Sequence, residues 1–431
     1  MEMKQPIILS QPIHLNKIPG FKELIANETN EANVLKATEV TCSITNEKYR
    51  IICYDKNFLN VDSISTSGLC RSVVVNKENK VVCFSPPKSI RSEDFIRKYP
   101  VSEEIIAMEF VEGTMINVFW DKNINGWELS TRHTIGATSK FYKSEPQYTF
   151  RDMFWEAAKE NNLDMKQLNP DFCYSFVVQH PLNRIVVPFK KPQLYLVACY
   201  TIVHEDEDTE DEDKEDEDTE EDEVNIMIYP HSTMSIRHHD WSGTGIKFPE
   251  IYSFNNYTEL IHKYASMNTS YNILGVVLYN KCTGERCKIR NPVYEQIRSL
   301  RGNQPKLQYQ YLCLRKEGKV SDFLTYYPEH KKDLSNFRDQ IHLFTQTLYS
   351  NYVSCYIKKE KPLNEFSAQF RTHMFNIHRL YMTQLKDQNL FVMNTTVIKY
   401  VNELHPSLLM HSLNYNMKKR SVDFVKTVEI V

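Results

Sequence analysis

Glycine is scarce in this chain, 11 of 431 residues, which excludes collagen-like repeats and long flexible Gly/Ser linkers. No run of about 18 apolar residues occurs, so no membrane-spanning helix is expected. The opening residues, Met1-Glu-Met-Lys-Gln-Pro6, lack a basic stretch followed by an apolar one, so no secretory leader is expected either. Cysteine is present but without a framework: the ten residues stand singly, mostly inside apolar runs such as Leu196-Val-Ala-Cys199, as buried reduced thiols of a cytoplasmic protein do. The nearest pair, Cys282 and Cys287, has no second pair or nearby histidine to complete a zinc set, and no metal site is expected.

Positive charge is lacking only on average. The chain carries −3 overall, yet residues 205–223 hold 16 acids and one lysine; outside them 39 acids face 51 bases, a charge of +12. A basic body suits a polyanion partner, although +12 over about 400 residues also fits an ordinary surface. The acidic run repeats Glu-Asp-Glu-Asp every five residues. Such dense like charge has no apolar surface to bury, so 204–224 is expected to be a disordered insertion between the strand-like runs 193–203 and 224–229. It could contact a protein partner, compete with nucleic acid for the basic body, or be a solvated loop without a role.

Up to about residue 305 the chain reads as short β-branched and aromatic strands at 70–75, 80–84, 115–120, 172–178 and 273–279, with turn signals at Asn76-Lys-Glu-Asn79 and Asn123-Ile-Asn-Gly126. Residues 150–168 read as helix. Further on, Leu334, Phe337, Ile341, Phe344, Leu348, Tyr352 and Cys355 recur at spacings of three and four, one face of a long helix. A second set runs Phe366, Phe370, Met374, Ile377, Leu380 and Leu385, and Pro362 separates the two. From Lys319 onward 15 Lys/Arg stand against 10 Asp/Glu. The expected class is α+β: a sheet domain over 1–305 carrying the acidic insertion, then a helical domain over 306–431.

Five blocks in the first part combine cations, glycines and short strands. They are Gly68-Leu-Cys-Arg-Ser-Val-Val-Val75 with Phe84-Ser-Pro-Pro-Lys88; Ala107-Met-Glu-Phe-Val-Glu-Gly-Thr-Met-Ile-Asn-Val-Phe-Trp120; Trp127-Glu-Leu-Ser-Thr-Arg-His-Thr134; Phe176-Val-Val-Gln-His-Pro-Leu-Asn-Arg-Ile-Val186; and Leu274-Gly-Val-Val277 with Lys288-Ile-Arg290 and Tyr294. In this order they resemble the phage-type RNA ligase family, whose type member repairs cleaved tRNA, and related proteins of large DNA viruses. The resemblance covers roughly residues 65–300. It implies an ATP-grasp-like, antiparallel-sheet nucleotidyltransferase fold and an ATP- and Mg²⁺-dependent reaction. In that reaction a desolvated lysine attacks the α-phosphate and is bonded to AMP.

Carried over position by position, Arg71 and Lys88 match the family's phosphate-contacting cations, with Ser72 where it has a glycine. Glu112, Gly113 and Thr114 match Asp-Gly-Ser, but Phe110 stands at the nucleophilic lysine, and no lysine occurs between Val101 and Asp121. His133 replaces another glycine. Pro181 to Val186 is nearly a full match to His-Pro-x-Asn-Arg-Ile-Val, yet Val177 occupies the preceding acid. Leu274 replaces the metal-side glutamate, whereas Lys288 is kept and Arg290 retains the second charge. The implied nucleotide- and phosphate-binding set is Arg71, Lys88, Glu112, Gly113, Lys288 and Arg290, with no catalytic residue and no metal ligand.

Loss of a nucleophile costs on the order of a millionfold in rate, and absent carboxylates weaken metal binding. The sequence therefore points to a catalytically inactive protein that binds RNA or another polyanion, with Phe110 either stacking on adenine or filling the pocket. Two alternatives stay open. One is an active ATP-dependent RNA ligase using a displaced lysine such as Lys122 or Lys140, with ATP and Mg²⁺ as cofactors. The other is a structural or assembly subunit of a viral particle or complex. The expected location is cytoplasmic, the host's if the protein is viral, or the particle itself.

Overall fold

The computed structural model describes residues 11–27, 34–139, 148–205, 225–231, 241–304 and 306–417. Lys140 and most of the acidic insertion, 206–224, lie outside these residues; His204 and Glu205 end a strand. The chain divides into two compact units, Met1–Gln296 and Ile297–Val431.

Among the described residues, alternating β-branched and aromatic residues give the first unit three antiparallel sheets. The largest is six-stranded, ordered β1 (Ile13–His14), β11 (Asn225–His231), β10 (Gln193–Glu205), β9 (Phe172–Gln179), β7 (Thr114–Asp121), β8 (Gly126–Ser130). A second sheet is ordered β12 (Ile251–Tyr252), β6 (Ile105–Glu109), β13 (Gly275–Asn280), β14 (Arg286–Arg290). The third is the meander β2 (Leu35–Thr41), β3 (Lys48–Tyr54), β4 (Val73–Val75), β5 (Val81–Phe84). The Asn76–Asn79 turn closes its last hairpin: Asn76 Oδ1 accepts from the N–H groups of Glu78 and Lys80, and Asn79 takes a left-handed φ of 59°.

The block 107–120 contributes to two strands. β6 pairs with β13 in one sheet and β7 with β9 in another, and residues 110–113 carry the chain between them. Gly113 makes the crossing possible at a φ of 148°, since a Cβ there would lie 2.5 Å from the Val178 carbonyl oxygen.

The helix Phe150–Glu160 starts at a capping box between Thr149 and Asp152 and buries Met153, Phe154, Ala157 and Ala158 in a core shared with Phe176, Val178, Leu194 and Leu196. It stops short of residue 168 because Asn162 turns left-handed at a φ of 51°; a separate 3₁₀ turn, Met165–Gln167, follows.

In the second unit the helix Lys331–Tyr352 buries Leu334, Ile341, Phe344, Leu348 and Tyr352, the face set by the three-and-four spacing, and ends in a π turn, Val353–Ile357. Beyond Pro362 a second helix, Ala368–Leu380, buries Phe370, Met374 and Ile377 and also ends in a π turn, Tyr381–Leu385. Phe344 and Phe370 stack between them at 5.3 Å. The class is α+β, sheets first and helices after. All ten cysteines are unpaired. No helix of the described residues is long and apolar enough to cross a membrane.

Candidate functional site

Strand period places Arg286, Lys288 and Arg290 on one face of β14. The register carries that face across the sheet: Lys288 pairs with Val277 and Val277 with Met108, while Arg290 pairs with Gly275, whose carbonyl accepts the Phe110 N–H at 3.3 Å. Gly275 has a φ of 137°, and a Cβ there would stand 2.1 Å from the Ile289 carbonyl oxygen, so only glycine fits. With no side chain at the centre, the Phe110 ring reaches β14. Lys288 Nζ lies 4.8 Å from the ring centre and Arg290 Cζ 5.8 Å.

Other cations close on the same place. Arg71 stands just before β4, and Lys88 follows β5 in a segment whose Ile90 N–H bonds the Arg286 carbonyl at 3.0 Å. Burial, followed by the charges of Arg286, Arg71, Arg290 and Lys88, pushes the Lys288 ammonium down to about 6. Lys88 is also lowered, first by burial and then by Arg71, Arg132, Lys56 and Arg286. Burial also lowers Arg71, and brings the Arg286 guanidinium down to about 10.

Acids are missing here. Arg290 pairs with Glu295 at 2.9 Å, but among the described residues no carboxylate pairs with Arg71, Lys88, Arg132, Arg286 or Lys288. The Nε atoms of Arg132 and Arg286 are buried without a partner. Arg286 does donate from Nη2 to the Pro87 carbonyl at 2.5 Å, and Arg132 lies over the Tyr54 ring at 4.7 Å. A cluster of uncompensated, half-desolvated cations has the chemistry to receive a multiply charged anion. Lys88 and Arg286 also line a cavity of about 720 Å³ whose other walls include Ile106, Met108, Val277, Tyr279 and Tyr200. That volume is in the range of small-molecule sites.

The structure thus brings together four of the implied residues, Arg71, Lys88, Lys288 and Arg290. It places the other two, Glu112 and Gly113, in the crossing between sheets. The Glu112 carboxylate accepts from the Val186 N–H at 2.8 Å and the Val187 N–H at 3.1 Å. Burial raises its pKa and those N–H groups temper the rise. Asn183 Nδ2 donates to Thr114 Oγ1 at 2.7 Å, and Gln179 Nε2 to the Glu112 carbonyl at 3.0 Å. The well-matched 181–186 block is therefore the clamp that holds the crossing.

A divalent cation is poorly served. Val177 is buried with Cγ1 against Gly113, Leu274 is apolar, and the Glu112 carboxylate is engaged by backbone. Among the described residues no group of three His, Cys, Asp or Glu could hold a metal. The donor set does not fit the Mg²⁺ that the family resemblance implies. His133 is exposed, its pKa lowered by partial burial and by Arg132. Ser72 is buried with its hydroxyl unpartnered. Lys122 is exposed at the far end of β7, about 24 Å along that strand from its start.

Sequence reasoning overlooked Arg286 and Arg132. The signal for Arg286 was present: Arg-x-Lys-x-Arg in a strand puts all three on one face. Arg132 lies in the Trp127–Thr134 segment, where nothing local says that it turns towards Arg71.

No protein-family model matches the chain. An RNA ligase of Rhodothermus phage RM378 is 23% identical over 336 residues, 71% of each sequence. Among solved structures, two forms of an archaeal ATP-dependent RNA ligase overlay with TM-scores of 0.37 and 0.39 at 9% identity, covering 89% of this chain and 75% and 92% of theirs. A DNA ligase of Aquifex aeolicus described as ATP-dependent reaches 0.36 at 10% identity, over 84% of this chain and 79% of its own. Superpositions this loose do not bear on function. Together with the ordered sequence blocks, the likeness to the phage RNA ligase supports an RNA-ligase-like nucleotidyltransferase family for this chain.

Proposed function

We propose that this protein has lost nucleotidyl transfer at position 110 and kept phosphate binding, so that it holds RNA or another polyphosphate without joining ends. The observation that carries this reading is the convergence of Arg71, Lys88, Arg132, Arg286 and Lys288 without a paired carboxylate among the described residues. The chemistry of a ligase needs a nucleophile and carboxylates for the metal. Positions 110, 177 and 274 hold Phe, Val and Leu, while the groups suited to phosphate oxygens remain.

The test pairs two assays on the full chain. With α-labelled ATP and Mg²⁺ or Mn²⁺, the denatured protein should carry no label beside a control ligase that does. With 5′-phosphorylated RNA it should bind, more weakly as salt rises, and Arg71→Ala with Lys288→Ala should weaken binding at least tenfold by removing two phosphate contacts. Absence of RNA binding would point instead to a structural or assembly role. A labelled chain would establish the second reading, an active ATP-dependent ligase with a displaced lysine. Lys288 is the residue to inspect, because burial and four neighbouring cations lower its pKa and so favour the nucleophilic free amine.

A further inference from the structure

We propose that Phe110 is a positioning residue of the phosphate pocket: its ring holds Lys288 and Arg290 in place across the gap left by Gly275. This role rests on the reading that the pocket binds phosphate.

Three observations meet at the ring. Gly275 must be glycine, so no side chain separates residue 110 from β14. Both cations lie within cation–π range of the ring centre, at 4.8 and 5.8 Å. Arg290 has a second anchor in Glu295, but the Lys288 ammonium has no hydrogen bond or ion pair among the described residues. The ring is therefore the short-range attraction that Lys288 makes, while Arg71, Lys88, Arg286 and Arg290 all repel it.

A lysine at 110 would add another cation to a cluster in which, among the described residues, Arg290 alone has a carboxylate partner. An aromatic ring puts an electron-rich face there instead, without the desolvation cost of a buried carboxylate. The substitution that removes the nucleophile thus also helps hold the remaining cations. An aliphatic residue of similar volume would fill the space and supply no such attraction.

The experiment is calorimetric titration of the full chain with inorganic pyrophosphate from about pH 6 to about pH 8, for the unaltered protein, Phe110→Leu and Phe110→Trp. Thermal melts confirm that each variant folds. Phe110→Leu should bind about three- to tenfold more weakly, with its affinity-against-pH curve moved to lower pH because Lys288 loses a contact that favours its charged form. Phe110→Trp should restore both. Equal binding by Phe110→Leu overturns the role. So does weakening in both variants with an unmoved pH curve, which is the mark of packing alone. Absence of pyrophosphate binding in the unaltered protein overturns the phosphate reading itself, and is seen before any variant is compared.

Discussion

Lys288 shows how burial sets chemistry at a single residue. An unfolded lysine titrates near 10.4, whereas here burial and four neighbouring cations bring the ammonium to about 6. Between those values the folded chain binds fewer protons than the unfolded one, so its stability rises with pH across that window. Below about 6 both states are charged and the folded state bears the full penalty. In buffer free of polyvalent anions, the melting temperature is expected to climb from pH 6 towards pH 9 more steeply than in Lys288→Met. That variant should also melt higher near neutrality. Parallel melting curves would refute the assignment. A bound phosphate reverses the electrostatics by favouring the ammonium, so pyrophosphate binding takes up a proton and weakens as pH rises above 6, by at most about tenfold per unit. None of this is legible at position 288 alone, where the sequence offers only a lysine on a strand edge.

At the scale of elements, two glycines and one carboxylate decide how the strands meet. Gly275→Ala would set a methyl 2.1 Å from the Ile289 oxygen at a φ of 137°, and should cost at least about 3 kcal/mol, read as a shift in urea midpoint. A cost below about 1 kcal/mol would mean the β13–β14 pairing is slacker than described. Glu112→Ala leaves the buried Val186 and half-buried Val187 N–H groups without their acceptor and should cost about 2–4 kcal/mol. Glu112→Gln keeps an acceptor and should cost less. Equal losses in both variants would shift the importance from the hydrogen bonds to the negative charge. The block 181–186 was legible as a motif, but its job as the partner of Glu112 was not. Glu112 precedes β7 and Val186 follows β9, and the pairing of those strands, Thr114 against Val178, brings the two residues together. Most of the buried face of the long helix was readable, because its three-and-four spacing is a local property of the chain; Cys355 falls instead in the π turn that follows.

For the molecule as a whole, charge is divided unevenly along the chain. Residues 205–223 take a body of +12 to a net −3. Deleting them should strengthen RNA binding at low ionic strength and leave it nearly unchanged at high salt, where charges more than about 10 Å apart no longer feel one another. Unchanged affinity at low salt would leave the acidic tract without influence on the pocket. The helical unit folds around its own aromatic core, with Phe344, Phe370 and His373 in contact, so truncation within 1–296 and within 297–431 can be assessed separately by melting.

The sequence by itself determined the α+β class, the strand and helix faces, and the order of the blocks that carry the ligase resemblance, with Phe, Val and Leu at positions 110, 177 and 274. These follow from residue type, spacing and count, which a linear chain carries in full. Only the tertiary structure decided that Arg71, Lys88, Arg132 and the β14 cations form one cluster, that no acid among the described residues balances those other than Arg290, that Glu112 faces backbone, and that the Phe110 ring lies under Lys288. Those depend on which strands pair and how much water is excluded between them. Desolvation and like-charge repulsion belong to the assembled sheets, and no segment of the chain carries them alone.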